Sequence, residues 1–234
     1  MSEITNTLLP RHVGFIVDGN RRWAREHNIS TLEGHRRGFN LLRKVAHRVF
    51  DHGVEYVSAY VFSTENWNRT EKEVDYLMGL IARLAEKDVK SFIKRGIRVR
   101  FLGVTDRVNS KLLAVIRRCE ADSANGTNGT LAVCFNYGGR REIADACREI
   151  IAKGIPANEI TEQTIAEHLY DPEIPNIDLM VRTSGEQRLS NFMLWRCAYS
   201  EFLFLDKKWP ELTEKDVPEM LTAYASRQRR FGGN

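Results

Sequence analysis

The sequence predicts an α/β fold: a single domain on a mostly parallel six-stranded sheet flanked by helices. Three observations lead there. Strand-like and helix-like stretches alternate along the chain, as a parallel sheet with helical crossovers requires. The first apolar run, residues 13–17, is short and partly β-branched, which suits a strand buried on both faces. No repeat, low-complexity tract or Pro/Gly/Ser-rich linker divides the 234 residues, and 42% of them are hydrophobic, enough for one sizeable core. The expected division is a short tail, 1–11, and one domain, 12–234.

Each element has a local reason. The first strand stops at Asp18-Gly19-Asn20, a turn signal. A helix over 35–52 carries Phe39, Leu42, Val45, Ala46, Val49 and Phe50 on one face and ends at Gly53. The second strand, 54–62, is rich in β-branched and aromatic residues and leads into a polar loop, 63–70. A helix over about 71–95 presents Val74, Leu77, Leu80, Ile81, Leu84, Val89 and Phe92, and Gly96 closes it. A strand at 97–102, a helix at 110–122 and a turn-rich stretch at 125–129 precede a strand at 131–135. That strand ends at Asn136-Tyr137-Gly138-Gly139. Helices at 140–153 and near 161–169, strands at 178–182 and 201–205, and a last helix at about 213–227 complete the pattern.

Composition excludes several classes. With 28% charged residues, no apolar run approaches the ~18 residues a membrane span needs. The first residues lack the basic-then-apolar pattern of a signal peptide. Four cysteines without CxxC spacing, all inside apparent strands or helices, read as reduced and mostly buried thiols of a cytoplasmic protein. The net charge of +4 is too mild for nucleic acid, and the charges gather at strand ends instead of forming a basic stripe with exposed aromatics. Of the 35 basic residues, 25 are arginine, the better bidentate partner for phosphate.

The chemistry-bearing residues sit where strands end. Asp18-Gly19-Asn20, Ser63-Thr64-Glu65-Asn66, Asn136-Tyr137-Gly138-Gly139 and Arg182-Thr183-Ser184-Gly185-Glu186 would share one edge of a parallel sheet. One cleft could then hold Asp18, Asn66, Arg69, Arg182, Arg188 and Ser190. Asp18 offers a hard oxygen for a cation, while the amides opening the next helix, with Arg21 and Arg22, suit an anion. A capped turn with two solvated arginines explains that stretch equally well. Trp67 reads either as core packing or as a cover over a ligand. There is no P-loop, no GxGxxG and no Asp-Asp pair, which weakens nucleotide and paired-carboxylate readings. Of six histidines, expected mostly at the surface, His35 at a helix start stands out. The stripe on the helix from Glu71 is either ordinary core or one wall of an apolar cavity.

Five stretches, in order, resemble the cis-prenyltransferases, the isoprenyl or undecaprenyl pyrophosphate synthase family, from about His12 to Gly233. They are His12 to Ala24; Gly34-His35; Phe62 to Arg69; Asn136 to Arg140; and Arg182 to Glu186 with Arg188-Leu189-Ser190-Asn191-Phe192, Leu194-Trp195 and Tyr199-Ser200-Glu201. The tail adds Trp209-Pro210-Glu211 and Arg229-Arg230-Phe231-Gly232-Gly233. The resemblance implies the family's fold with an apolar tunnel. It implies Mg²⁺-dependent addition of isopentenyl pyrophosphate to an allylic pyrophosphate, farnesyl or geranyl, forming cis double bonds and an undecaprenyl-like carrier lipid. A short-chain product and a non-catalytic subunit are the alternatives; non-catalytic relatives lack the aspartate motif, which is present here.

By the same resemblance, Asp18 handles Mg²⁺ and pyrophosphate. Gly19, Asn20, Arg21, Arg22, Trp23, Thr31, His35 and Arg69 fall at allylic-substrate positions. Ser63 and Asn66 match the polar pair implicated in proton removal, flanked by Thr64, Glu65 and the mobile-loop aromatic Trp67. Arg182, Arg188, Leu189 and Ser190 match the isopentenyl pyrophosphate site. Glu201 matches a second metal contact supplied across a homodimer, and the Arg-Phe-Gly tail completes the neighbouring subunit's site. The product would associate with a membrane surface. Two departures stand out: Arg21 replaces the usual glycine, and Thr31 stands where many members place an arginine on the allylic pyrophosphate. Gln187, for a common histidine, is a smaller change. Val61, on the second strand, matches a position that limits chain length when bulky.

Overall fold

Six strands, β1 (His12–Ile16), β2 (Tyr56–Ser63), β3 (Arg98–Leu102), β4 (Thr130–Tyr137), β5 (Leu179–Arg182) and β6 (Glu201–Phe204), form the sheet of the computed structural model, which describes residues 9–227. Their order is β3-β4-β2-β1-β5-β6 and every pairing is parallel, so the sheet is wholly rather than mostly parallel. β1 is buried along its whole length, as its unbroken apolar character demands of a central strand covered on both faces. From β1 the chain builds one half of the sheet and then crosses back to lay β5 and β6 on the other side. The reversal falls between β1 and β5, and the crevice above their carboxyl ends is where ligands bind in such sheets.

The helices are α1 (Asn20–Glu26), α2 (Thr31–Asp51), α3 (Glu71–Arg83), α4 (Val89–Ile93), α5 (Ser110–Ser123), α6 (Gly139–Ala152), α7 (Glu162–Glu167) and α8 (Val217–Ala225). Several boundaries differ from expectation. α2 starts four residues before His35, because Ser30 caps it, accepting from the Glu33 amide at 3.2 Å. The long helix from Glu71 is interrupted by a π-helical turn, Leu84–Asp88. That wider turn re-aims the stripe so that Leu84, Ala85, Val89 and Phe92 all remain buried. The polar loop contains a 3₁₀ helix, Thr64–Asn68, started by reciprocal Ser63–Asn66 capping. A 3₁₀ turn, Glu214–Asp216, precedes α8, which therefore begins later than the sequence suggested.

Side-chain burial corrects two further expectations. Cys197 lies in irregular chain between β5 and β6, while Cys119, Cys134 and Cys197 are buried and Cys147 is exposed. Of the histidines, His12 and His35 are buried, His47, His52 and His168 half-buried, and His27 alone is exposed. His12 is held in β1 between the Ser58 hydroxyl (2.7 Å) and the Pro175 carbonyl (2.9 Å), so two polar partners make its burial tolerable.

The sheet separates two cores. The larger joins Phe15, Val61, Leu42, Leu77, Ile81, Phe92 and Trp209; the smaller joins Tyr60, Tyr137, Met180 and Phe192. Tyr60 and Val61, adjacent on β2, face opposite cores, as strand alternation dictates. Under the smaller core, Arg196 donates to Glu142 at 2.7 Å, both fully enclosed, which ties α6 to the segment before β6.

Candidate functional site

The switch-point crevice is built around Asp18, two residues past the end of β1. Gly19 follows in the left-handed region (φ 103°), where a Cβ would lie 2.8 Å from both Lys208 Cβ and Ser184 Oγ. Only glycine makes this turn cheaply. The Gly19 amide donates to Asp18 Oδ1 at 2.6 Å, and Thr183 Oγ1 donates to the Asp18 carbonyl at 2.7 Å. The carboxylate itself meets two arginines. Arg182 Nη2 donates to Oδ2 at 2.9 Å, and Arg22 Nη2 lies 3.2 Å from Oδ1. Burial works against ionisation of Asp18, but the hydrogen bond and charge of Arg182, with the charge of Arg22, outweigh it and hold the carboxyl below its ordinary range.

Arg182, at the end of β5, is only 3% exposed. Its Nη1 donates to Ser190 Oγ at 2.8 Å and to the Arg188 carbonyl, so the 188–190 loop is fastened to the floor of the crevice. Glu186 gathers the outer cations: Arg22 Nη1 donates to it at 2.9 Å, and Arg188 also pairs with it.

A second cluster forms the opposite wall. His35 Nε2 and Arg69 Nη1 both donate to Glu73 Oε1 at 2.9 Å, and Arg21 Nε lies 3.8 Å from the same oxygen. Burial drives the His35 pKa down, and Arg69 adds to this; the Glu73 hydrogen bond opposes but does not cancel it. The ring is therefore neutral near pH 7, with Nε2–H directed at Glu73. For Glu73, burial favours the neutral acid, but the His35 hydrogen bond and the Arg69 and Arg21 charges prevail and keep it ionised.

Between the clusters lies a cavity of about 190 Å³. Asp18, Asn20, His35, Ser63, Asn66, Arg69 and Ser190 supply its polar lining, and Ile16, Val17, Phe39, Leu42, Tyr60, Val61 and Leu77 its apolar lining. Asn66 is fixed by accepting the Ser63 amide at 3.1 Å. Gly38 leaves room for Asn20, since a Cβ there would fall 2.3 Å from its Oδ1.

Not every expected residue joins the lining. Arg21, Arg22, Arg182 and Arg188 touch the site through the two carboxylate clusters. Thr64 and Glu65 sit on the 3₁₀ helix, where Glu65 accepts from Asn191 at 2.9 Å. Trp67, half-buried, packs edge-on against Phe62 at the margin of the larger core, donates to Asn136 Oδ1 at 2.7 Å and carries Arg107 over its face, and it does not line the cavity. Trp23 is buried, stacked on His27 with Arg37 across it. Thr31 opens α2 and Leu189 packs on the smaller core. Glu201 begins β6 at the amino-terminal edge of the sheet, bonded to Arg227 at 2.9 Å, far in the topology from the carboxyl-end crevice. The Arg229–Gly233 tail lies outside the described residues. Glu73 was missed by the sequence reading; its one signal was the four-residue spacing from Arg69.

The donor set suits a Mg²⁺ ion. Asp18 is the one carboxylate in the cavity lining, and its Oδ2 accepts a single hydrogen bond among those described. Mg²⁺ commonly takes one or two carboxylates and completes its shell with substrate phosphate and water. Among the described residues no group of three or more His, Cys, Asp or Glu could hold a metal by itself.

Comparison with known proteins agrees with this geometry. A family model described as "Putative undecaprenyl diphosphate synthase" matches residues 16–232. A trans,polycis-polyprenyl diphosphate synthase ((2Z,6E)-farnesyl diphosphate specific) of Thermobifida fusca is 42% identical over 235 aligned positions, covering 99% of this chain and 83% of that protein. An isoprenyl transferase of Thermotoga maritima is 41% identical over 228, covering 96% and 97%. Among solved structures, lavandulyl diphosphate synthase from Lavandula x intermedia, in complex with dimethylallyl diphosphate, superposes with a TM-score of 0.93 at 34% identity, covering 96% of this chain and 99% of that one.

Proposed function

The chain belongs to the undecaprenyl diphosphate synthase family of cis-prenyltransferases, prenyl-transferring enzymes acting on allylic and isopentenyl pyrophosphates, and on that footing we propose a specific reaction for it. It condenses isopentenyl pyrophosphate with farnesyl or geranyl pyrophosphate, with Mg²⁺, to an undecaprenyl-like cis-polyprenyl pyrophosphate. The observation that carries this reading is the Asp18–Arg182–Arg22 cluster at the switch point, beside a cavity lined by both polar and apolar side chains.

The residues divide the work. Breaking an allylic C–O bond leaves charge on pyrophosphate, and fixed cations such as Arg22 and Arg69 stabilise it where it develops. Asp18 would hold a Mg²⁺ ion, which when bound would supply further charge neutralisation for that leaving group. Arg182, Arg188 and Ser190 hold isopentenyl pyrophosphate. Asn66 is too weak a base to take the proton itself and positions the water or phosphate oxygen that does. Phe39, Leu42, Val61 and Leu77 receive the prenyl chain and keep water from the allylic cation. The present cavity is smaller than the ~300 Å³ at which ligand pockets usually begin, so elongation into a tunnel needs Leu77 and its neighbours on α3 to move.

The enzyme is proposed to be a cytoplasmic homodimer that hands its product to a membrane surface. Glu201 lies at the sheet edge remote from its own Asp18, which favours action on a second subunit. Tyr199, 74% exposed beside the groove of Leu194, Trp195 and Ala198, offers apolar surface next to edge strand β6. No described helix is long and apolar enough to cross a membrane. The test is incubation with farnesyl and isopentenyl pyrophosphates, with Mg²⁺ or with chelator, and mass spectrometry of the product. A Mg²⁺-dependent ladder ending near undecaprenyl is expected. One or two additions would favour the short-chain alternative, and no transfer at all would refute the proposal.

A further inference from the structure

A buried carboxylate is a poor choice for the wall of a site that must receive a polyanion. Glu73 is 7% exposed, and a glutamine there could accept the same bonds from His35 and Arg69 with a smaller desolvation cost. What the carboxylate alone provides is charge. Its Oε1 takes His35 Nε2 and Arg69 Nη1 at 2.9 Å each and lies 3.8 Å from Arg21 Nε. Arg69 and Arg21 repel one another, and burial of Arg69 already works against its charge. An anion between them lets both stay charged and close. His35 comes from α2 and Glu73 from the first turn of α3, so the bond also braces the helix that carries Leu77 to the cavity.

We propose that Glu73 is a positioning residue that balances the charge of Arg69 and Arg21 and fixes the His35 ring, and so sets how tightly the site holds a pyrophosphate group. The role rests on the reading of the cavity as a pyrophosphate site. With the balance in place, the wall binds pyrophosphate firmly enough to orient it and weakly enough to release it after transfer. Removing one negative charge at ~6–8 Å, in an environment of effective dielectric near 20–40, should tighten binding on the order of tenfold.

The test is calorimetric titration with inorganic pyrophosphate at fixed Mg²⁺, beside steady-state kinetics. Glu73→Gln is expected to lower the pyrophosphate Kd and the allylic KM roughly tenfold and to lower kcat, as release slows. Arg21→Gln, on a side chain 55% exposed, should raise Kd by a similar factor. The double variant should return towards wild type, because the charge balance is restored. A merely structural Glu73 would give the opposite sign, with Kd and KM rising as Arg69 and His35 lose their anchor, and that result overturns the proposal. So does an unchanged Kd. If Glu73→Gln does not fold, Arg21→Gln alone decides, and no change in its Kd overturns the balance. Wild type failing to bind pyrophosphate would refute the site reading itself, and the role with it. Binding that is present but insensitive to Glu73 and Arg21 refutes only the role.

Discussion

Replacing Asp18 by asparagine keeps the shape of the side chain and removes its charge. The amide oxygen can still accept from the Gly19 amide, now 2.6 Å from Oδ1, but the amide nitrogen then faces Arg182, donor against donor. Arg182 is almost wholly enclosed, so its guanidinium would lose its carboxylate without gaining water. A hydrogen bond to a charged partner contributes about 1.5–3 kcal/mol. The Asp18 side chain is 28% exposed, which screens part of this, and we expect a stability loss of about 1–2 kcal/mol. The sign with pH follows from the lowered folded-state pKa. The contribution is fully present above the unfolded value near 3.9 and is lost as pH falls through the folded value. Denaturant titration should therefore separate Asp18→Asn from wild type at pH 7, and the gap should close in strong acid. Turnover should fall further than stability suggests, at least ~100-fold, the scale of losing one preorganised electrostatic contact. A folded variant that keeps turnover within a factor of ~3 at saturating Mg²⁺ would refute the assignment of Asp18 to metal and leaving group.

Three further outcomes follow from the same structure. His12, fully enclosed with its pKa pushed down to about 4 mainly by burial, must stay neutral to fold. Its contribution is present above the unfolded value near 6.5 and falls between there and pH 4, with a slope approaching 1.4 kcal/mol per pH unit; His12→Gln should flatten that slope in denaturant titrations, and an unaltered slope would place the titration elsewhere. Mixing Asp18→Ala subunits with subunits truncated after Arg227 should restore some activity if Glu201 and the tail act across a dimer, whereas sites built from one chain would gain nothing. Val61 lines the cavity, so Val61→Leu should shorten the product and Val61→Ala keep or lengthen it, since filled apolar space tolerates little added volume; chromatography of the dephosphorylated alcohols reads this, and two unchanged distributions would remove Val61 from the chain path.

Much of the fold was legible because it is written locally. Strand and helix alternate with clear periods, and the polar residues past Ile16, Ser63 and Arg182 mark carboxyl ends without any knowledge of packing. What was hidden depends on partners far apart in sequence. The Asp18–Arg182 pair joins residues 164 apart, and nothing near either one announces the other. The π-helical turn at Leu84–Asp88 preserves the apolar stripe across its change of register, so the sequence reads as one helix. Glu73 was invisible for a different reason: an acid in the first turn of a helix is ordinary on dipole grounds, and only the arrival of His35 from α2 and Arg21 from α1 makes it unusual. Trp67 and Trp23 show the converse. Their motif context points to substrate, while their contacts here are with Phe62, Asn136 and His27.

The two clusters share a design. Asp18 holds Arg182 and Arg22, Glu73 holds Arg69 and approaches Arg21, and Glu186 holds Arg22 and Arg188. Arg182, Arg22 and Arg69 are thus already oriented by a carboxylate before any ligand arrives, and Arg182 and Arg69 are largely stripped of water as well. For the proposed reaction, pyrophosphate binding is then an exchange of oxygen partners at preset guanidinium groups, not the ordering of free side chains. That removes much of the entropy that long cationic side chains would otherwise lose on binding.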